Sequence, residues 1–250
     1  SFNEKRTLSF QASGGVSEHK DNFFSFKKLN VLRSIALYGA NSSGKSNLIQ
    51  AFYTMQDIVL SSVRLNETDE LNYTPFLLSA ESENKPSFFE IVFSHQNACY
   101  QYGFEYNLKS IVSEWLFEVK GTGKKDVLFV RSDGEIAVAD NFEEGKGKEE
   151  STNINRLFIS LVAQLGGKIA NQILHFFSSY NVISGITHSD YRFFSFKMFI
   201  EQSSGYKESL ELFQQLKLGF KDLQIVEVER EAGEFTKNDR SVARQIISIN

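Results

Sequence analysis

An α/β fold is what this 250-residue sequence predicts, and three observations carry the prediction. An apolar run over residues 32–38 stops on Gly39, a helix-period apolar stripe follows at once, and short alternating runs recur between residues 86 and 131. The first two predict a strand-to-helix connection of the α/β class, and the third predicts an antiparallel, hairpin-rich subdomain beside it.

Taken in order, residues 7–10 read as a short strand and the polar, glycine-bearing stretch 12–22 as a loop. Residues 32–38 are the second strand. In the helix that follows, Leu48, Phe52, Met55 and Val59 recur at spacings of four and three, with Gln50, Thr54 and Gln56 expected largely on the other side. Residues 66–72 and 79–86 are loops. Strands are expected at 87–93, 98–106, 113–119 and 127–130, most clearly where Tyr100, Tyr102, Phe104 and Tyr106 alternate with Gln101, Gly103 and Glu105. The stretch 140–152, with its run from Glu143 to Glu150, is expected to be an exposed, mobile loop that buries almost nothing. Helices follow at 154–163, 169–177 and 206–218, the last stopped by Gly219, and strands at 223–228 and 246–249. There is no repeat and no sustained heptad, so these residues contain no long coiled coil.

Composition narrows the class. The balance of 27 Lys plus Arg against 31 Asp plus Glu gives a net charge of -4, which argues against a uniformly basic, nucleic-acid-coating surface and leaves a local patch open. Cys99 is the single cysteine, so the chain can form neither an internal disulfide nor a multi-cysteine metal site, and a reducing, cytoplasmic setting is expected. No apolar run is long enough to cross a bilayer, and residues 1–9 lack the apolar core of a signal peptide. With 24 Phe and 9 Tyr, the pairs Phe23-Phe24, Phe88-Phe89, Phe176-Phe177 and Phe193-Phe194 are expected to be packed core rather than interface.

Gly39-Ala40-Asn41-Ser42-Ser43-Gly44-Lys45-Ser46 satisfies the full G-x-x-x-x-G-K-[ST] pattern, placed between a predicted strand and a predicted amphipathic helix. Gly39 and Gly44 permit the tight turn that aims consecutive backbone N–H groups at a phosphate, and the new helix offers its positive end to the same anion. Lys45 is expected to reach the β- and γ-phosphates, and the Ser46 hydroxyl to ligate Mg²⁺. The pattern therefore predicts a nucleoside triphosphate, ATP, bound with Mg²⁺. Hydrolysis needs more, including an acidic residue at the metal. No apolar strand ending in Asp-Glu is present; residues 225–229, with Glu227 and Glu229, come nearest but alternate like a half-exposed strand.

Residues 32–48, with Asn41 and Asn47 giving the narrower form G-x-N-x-x-G-K-S-N, closely resemble the nucleotide-binding start of the ABC-type AAA ATPases grouped with the Rad50, SMC, RecF and overcoming-lysogenization-defect proteins. Looser matches are similar to one bacterial branch, the AAA15-like ATPases of abortive-infection, retron and related phage-defence systems: Ser1-Phe2 opening the strand at residues 7–10, residues 86–93, residues 100–105 with their Tyr-Gly-Phe-Glu, Glu114-Trp115-Leu116 and Leu128-Phe129-Val130-Arg131. The resemblance implies a P-loop NTPase of ABC-ATPase head type, with an N-terminal lobe over residues 1–152 (antiparallel subdomain about 86–131), a helical insertion over 153–221 and a return to the ATPase core over 222–250. It implies nucleotide contacts from Gly39, Asn41, Ser42, Ser43, Gly44, Lys45, Ser46 and Asn47. It also implies a glutamine that senses Mg²⁺ and the γ-phosphate; Gln164 is the positional candidate, the other reading being a polar residue at a helix end. Such heads pair to sandwich ATP, each signature motif facing the other's P-loop, and no Ser-x-Gly signature precedes an acidic strand here. The expected assembly is a homodimer or larger, with an effector protein (nuclease or toxin) and DNA or RNA as candidate partners and no membrane. Two alternatives stand beside antiviral effector control: a DNA-repair or chromosome-maintenance ATPase of Rad50 or RecF type, and an ATP-bound scaffold that organises a toxin without hydrolysis.

Other chemistry-bearing residues read as ordinary. His188 lies in a loop with no second histidine or acidic cluster at metal-ligand spacing. Lys27, Lys28, Lys168 and the basic turn Lys120, Lys124 and Lys125 are expected to be solvated rather than bound to nucleic acid, and Cys99 packed rather than reactive.

Overall fold

In the computed structural model the described residues are 2–13, 19–26, 29–79, 82, 85–121, 123–183, 189–217, 222–230 and 241–249. They form two compact units, Ser1–Val182 and Ile183–Asn250. Lys27, Lys28, His188 and Gly219 lie outside the described residues.

The first unit opens with an antiparallel hairpin, β1 (Phe23–Phe26) and β2 (Leu29–Leu32). The preceding segment adds to its edge, where the Leu32 N–H donates to the Phe10 carbonyl at 2.7 Å and the Ala12 N–H to the Asn30 carbonyl at 2.8 Å. The strand expected at residues 7–10 therefore pairs only at its end. The strand expected at residues 32–38 is corrected more sharply, because β2 stops at Leu32 and residues 34–38 join no ladder. Leu37 is left 43% and Tyr38 93% exposed. An apolar run becomes a strand only where a neighbour accepts its backbone polar groups. Here the hydrogen bonds along β2 end with the Arg33 N–H on the Asn22 carbonyl, and every ladder among the described residues is antiparallel.

The helix expected after Gly44 is α1 (Lys45–Ser61). Met55, Ile58 and Val59 are buried, with Leu48 and Phe52 half-buried on the same stripe. Gln56 departs from its expected solvent face: its Nε2 donates to the carbonyls of Phe177 at 2.6 Å and Tyr180 at 2.8 Å.

A five-stranded antiparallel meander follows, β3 (Ser87–His95), β4 (Ala98–Tyr106), β5 (Ile111–Val119), β6 (Lys125–Ser132) and β7 (Glu135–Val138), paired in chain order. Two turns of two residues set its register. Gln96 and Asn97 both have positive φ (48° and 67°), as do Asp133 and Gly134 (53° and 85°), the conformation whose twist matches flanking strands. The alternating aromatics of β4 bury Tyr102, Phe104 and Tyr106 completely or nearly so. On the opposite face Gly103 lies beneath Trp115; a β-carbon there would stand 2.7 Å from the Phe89 carbonyl oxygen, so glycine is what allows the indole to lie down.

The inner face of the sheet is covered by α2 (Phe158–Gln164) and α3 (Lys168–Ser179), both of which also pack on α1. Phe93 stacks on Phe176 with ring centroids 3.8 Å apart, and Ser160 Oγ donates to the Val59 carbonyl at 2.7 Å. Residues 153–182 thus share the first unit's core. Helix α2 starts four residues later than expected, because Asn155 is wholly buried and its Nδ2 donates to the carbonyls of Asn66 and Asp69. The stretch 140–152 is also corrected: Phe142 and Gly145 are buried, and the Glu144 carboxylate accepts the N–H groups of Ile169 and Ala170 at 3.1 and 2.8 Å. That carboxylate supplies the N-terminal cap of α3, which its own N-cap residue Gly167 does not.

The second unit contains α4 (Ser189–Glu201), α5 (Tyr206–Gln215) and an antiparallel pair, β8 (Asp222–Arg230) and β9 (Ser241–Ile249). Helix α4 was not expected from the sequence. It packs Phe199 against Tyr206 and Phe213 but leaves Phe193 71% and Phe194 66% exposed, so that pair is not core. Of the other pairs, Phe177 is fully buried and Phe24 is 43% exposed.

Candidate nucleotide site

The local sequence shapes the loop. Gly39 sits where a β-carbon would fall 2.7 Å from Ser43 Oγ, and Gly44 takes φ +93°, a conformation that side chains rarely adopt. Ser42 also has positive φ, at 64°. The Ser43 N–H donates to the Ala40 carbonyl at 3.3 Å, closing the turn. Helix α1 then starts on Lys45, with Gly44 as an N-cap that carries no side-chain cap. The first hydrogen bond of the helix runs from the Leu48 N–H to the Gly44 carbonyl at 3.1 Å. A 17-residue helix therefore presents its positive end inside a tight turn.

The Lys45 side chain folds back over this turn. Its Nζ donates to the carbonyls of Gly39 at 2.6 Å and Ala40 at 2.7 Å, and lies 3.5 Å from Ser43 Oγ. An ammonium with three donors finds three oxygens of one loop, so the cation and the turn are held together. Asn41, Ser42, Ser43, Ser46 and Asn47 are exposed around it, with Gly44 and Lys45 half-buried. These positions are brought together as the motif requires. The set suits a polyphosphate in its chemistry: a cation, an uncapped helix end, and a hydroxyl at Ser46 in the first turn.

Gln164 is exposed in the last turn of α2, a helix whose Ser160 touches α1 at Val59. Val59 is fourteen residues past Lys45, roughly 21 Å along a straight helix. Among the described residues no group of three or more His, Cys, Asp or Glu is placed to hold a metal ion. Glu227 and Glu229 fall within β8 of the second unit. Lys120 and Lys124 form ion pairs with Glu118 and Asp126, which offset part of the charge of the basic turn.

Among the described residues the one deeply buried acid is Glu114, and it is spent on structure. Its Oε2 accepts the Phe158 N–H at 2.7 Å; its Oε1 accepts the Ile159 N–H at 3.1 Å and the Tyr102 hydroxyl at 3.0 Å. Burial pushes its carboxyl up to about 6, against the downward pull of those donors and of Arg131. Arg131, whose own pKa burial lowers, donates to the carbonyls of Arg156, Asn153 and Ile154. Sequence reading missed Glu114, Glu144 and Gln56 as anchors, and it missed Phe2, whose ring lies against Gly44.

A family model described as "AAA domain, putative AbiEii toxin, Type IV TA system" matches residues 34–231, which include the whole loop and α1. No curated protein and no solved structure matches the chain. No helix of the described residues is long and apolar enough to cross a membrane.

Proposed function

Because the chain belongs to the family of AAA domains described as putative AbiEii toxin of Type IV toxin–antitoxin systems, we propose that it is an ATP-binding subunit that couples nucleotide-dependent pairing of ATPase heads to control of a toxin-like effector in bacterial antiviral defence. The observation that carries the nucleotide part is the Lys45 ammonium closed onto the Gly39 and Ala40 carbonyls at the uncapped start of α1. A triphosphate offers that ammonium better acceptors than neutral carbonyls, and it offers the helix end a full negative charge.

Lys45 and the loop amides hold the phosphates in this reading, with Ser46 on Mg²⁺. The metal supplies charge neutralisation on the β- and γ-phosphates. The reaction is ATP plus water to ADP plus phosphate in the complete, paired protein. Pairing brings the groups that the described residues do not place at the loop, and Gln164 would sense Mg²⁺ and the γ-phosphate.

A second reading is a scaffold that holds ATP and organises its effector without turnover. No apolar strand ending in Asp-Glu occurs in this sequence, and that favours it. Turnover by the full-length protein, compared with its Lys45→Ala variant and with oligomeric state recorded with and without ATP, separates the two. Lys45-dependent phosphate release with ATP-dependent pairing supports the first; tight binding without release supports the second.

A further inference from the structure

The phosphate loop has few internal restraints. Residues 39–43 are exposed, and apart from the Ser43–Ala40 hydrogen bond the loop is closed by the Lys45 ammonium on two of its carbonyls. If Lys45 grips a triphosphate, those two bonds are given up when the ligand arrives. The glycine at position 44 is tolerant of φ +93° but does nothing to favour it, since glycine populates many other conformations.

Phe2 meets the loop at that residue. A β-carbon on Gly44 would stand 3.0 Å from Phe2 Cε1, 3.6 Å from Cζ and 4.0 Å from Cδ1, so one edge of the ring lies directly on the flank of the glycine. The segment that carries the ring is tethered farther along. Three residues on, the Lys5 ammonium sits 4.2 Å over the Phe88 ring and 4.0 Å from a Glu90 carboxylate oxygen, both on β3. Farther along, the Phe10 carbonyl and the Ala12 N–H pair with β2. The segment from Phe2 to Ala12 is thus held at two places, and its aromatic end closes one side of the loop.

We infer that Phe2 is a positioning residue of the phosphate site, which rests on the nucleotide reading above: its ring edge restricts Gly44 to the conformation that receives a polyphosphate and keeps it there once Lys45 has moved from the loop carbonyls to the ligand. Contact with the backbone of the loop, rather than an open ring face beside it, points to the phosphates and not to the nucleobase. The restraint is independent of which base the nucleotide carries.

The test compares ATP and inorganic tripolyphosphate, each with Mg²⁺, binding to the full-length wild type and to Phe2→Ala, Phe2→Tyr and Lys45→Ala by calorimetric titration, with the ligand-free melting temperature as control. Phe2→Ala is expected to weaken both ligands by the same factor, about five- to tenfold, through lost preorganisation. Phe2→Tyr keeps wild-type binding, and the ligand-free melting temperature stays close to that of the wild type because Phe2 is an exposed residue. Equal affinity in Phe2→Ala overturns the inference, as does a loss confined to ATP, which would make the ring a base platform. A wild type that binds neither ligand, or that binds both with no dependence on Lys45, overturns the nucleotide reading itself and the inference with it.

Discussion

Glu114 and Arg131 face each other across the β5–β6 ladder, at 0% and 2% exposure, and both hydrogen-bond the backbone of residues 153–159. The carboxylate accepts the first N–H groups of α2, and the guanidinium donates to the carbonyls of the turn before it. Together they fix where the sheet ends and the helical layer begins. This arrangement makes a pH prediction. Burial raises the folded-state pKa of Glu114 from 4.5 to about 6, so the native protein holds a proton there that the unfolded chain has released. The stabilisation from that proton is fully present below about pH 4.5 and is lost as pH rises through about 6, a loss of about 2 kcal/mol from a shift of this size. Glu114→Gln has no such proton to lose. In urea titrations from pH 4.5 to 7.5 the wild type is expected to fall relative to Glu114→Gln by that amount; parallel profiles would show that Glu114 titrates as an ordinary carboxyl.

Lys45 contributes to ligand binding and little to the ligand-free fold, since the site it closes is at the surface. A ligand present at a hundred times its dissociation constant stabilises the native state by about 2.7 kcal/mol. Wild type is therefore expected to show a clear ATP-dependent rise in melting temperature, and Lys45→Ala to melt at the wild-type temperature without ATP and to lose the rise. A variant that still responds to ATP would place the nucleotide elsewhere.

Gln56 is the polar hinge pin of the helical layer. Its amide satisfies two carbonyls at the C-terminal end of α3, those of Phe177 and Tyr180, while the Tyr180 hydroxyl donates back to the Phe52 carbonyl of α1. Gln56→Leu keeps the volume and removes the donors. It is expected to cost about 1–3 kcal/mol in equilibrium unfolding, the penalty for carbonyls left unmet in a partly buried place. A cost near zero would mean that water reaches both.

What could be read from the sequence was what is local in it. The phosphate loop is eight consecutive residues followed by its helix, and the β3–β6 strands carry their own alternation, so these were legible. The anchors were not: Gln56 and Phe177 are 121 residues apart, Glu114 and Phe158 44, Glu144 and Ala170 26. No period or motif links such pairs; only the packed fold does. Strand β7 had a usable signal in Asp133-Gly134, a dipeptide suited to the two-residue turn it makes, but four residues of strand after it gave little alternation to read. Helix α4 hid for the opposite reason, since Phe193, Phe194, Phe196 and Phe199 fall around the helix rather than along one stripe, and two of them are exposed. The run at residues 32–38 misled because apolar character states a preference for burial, whereas a strand also needs a partner.

Glu144 shows how an acidic run read as mere loop can hold a helix. Its two carboxylate oxygens take the N–H groups of Ile169 and Ala170, and the neighbouring Phe142 is fully buried, so the carboxylate is delivered to α3 by a packed turn. The negative charge also lies at the positive end of the helix. Glu144→Ala is expected to lower stability by about 1 kcal/mol, as for loss of an N-terminal cap. Glu144→Gln, with one acceptor oxygen and no charge, is expected to fall between the two. Amide exchange separates this from a general weakening: Ile169 and Ala170 should lose protection in Glu144→Ala before the amides of β4 do. Uniform loss across both elements would mean that Glu144 acts through the turn it belongs to and not through the helix it caps.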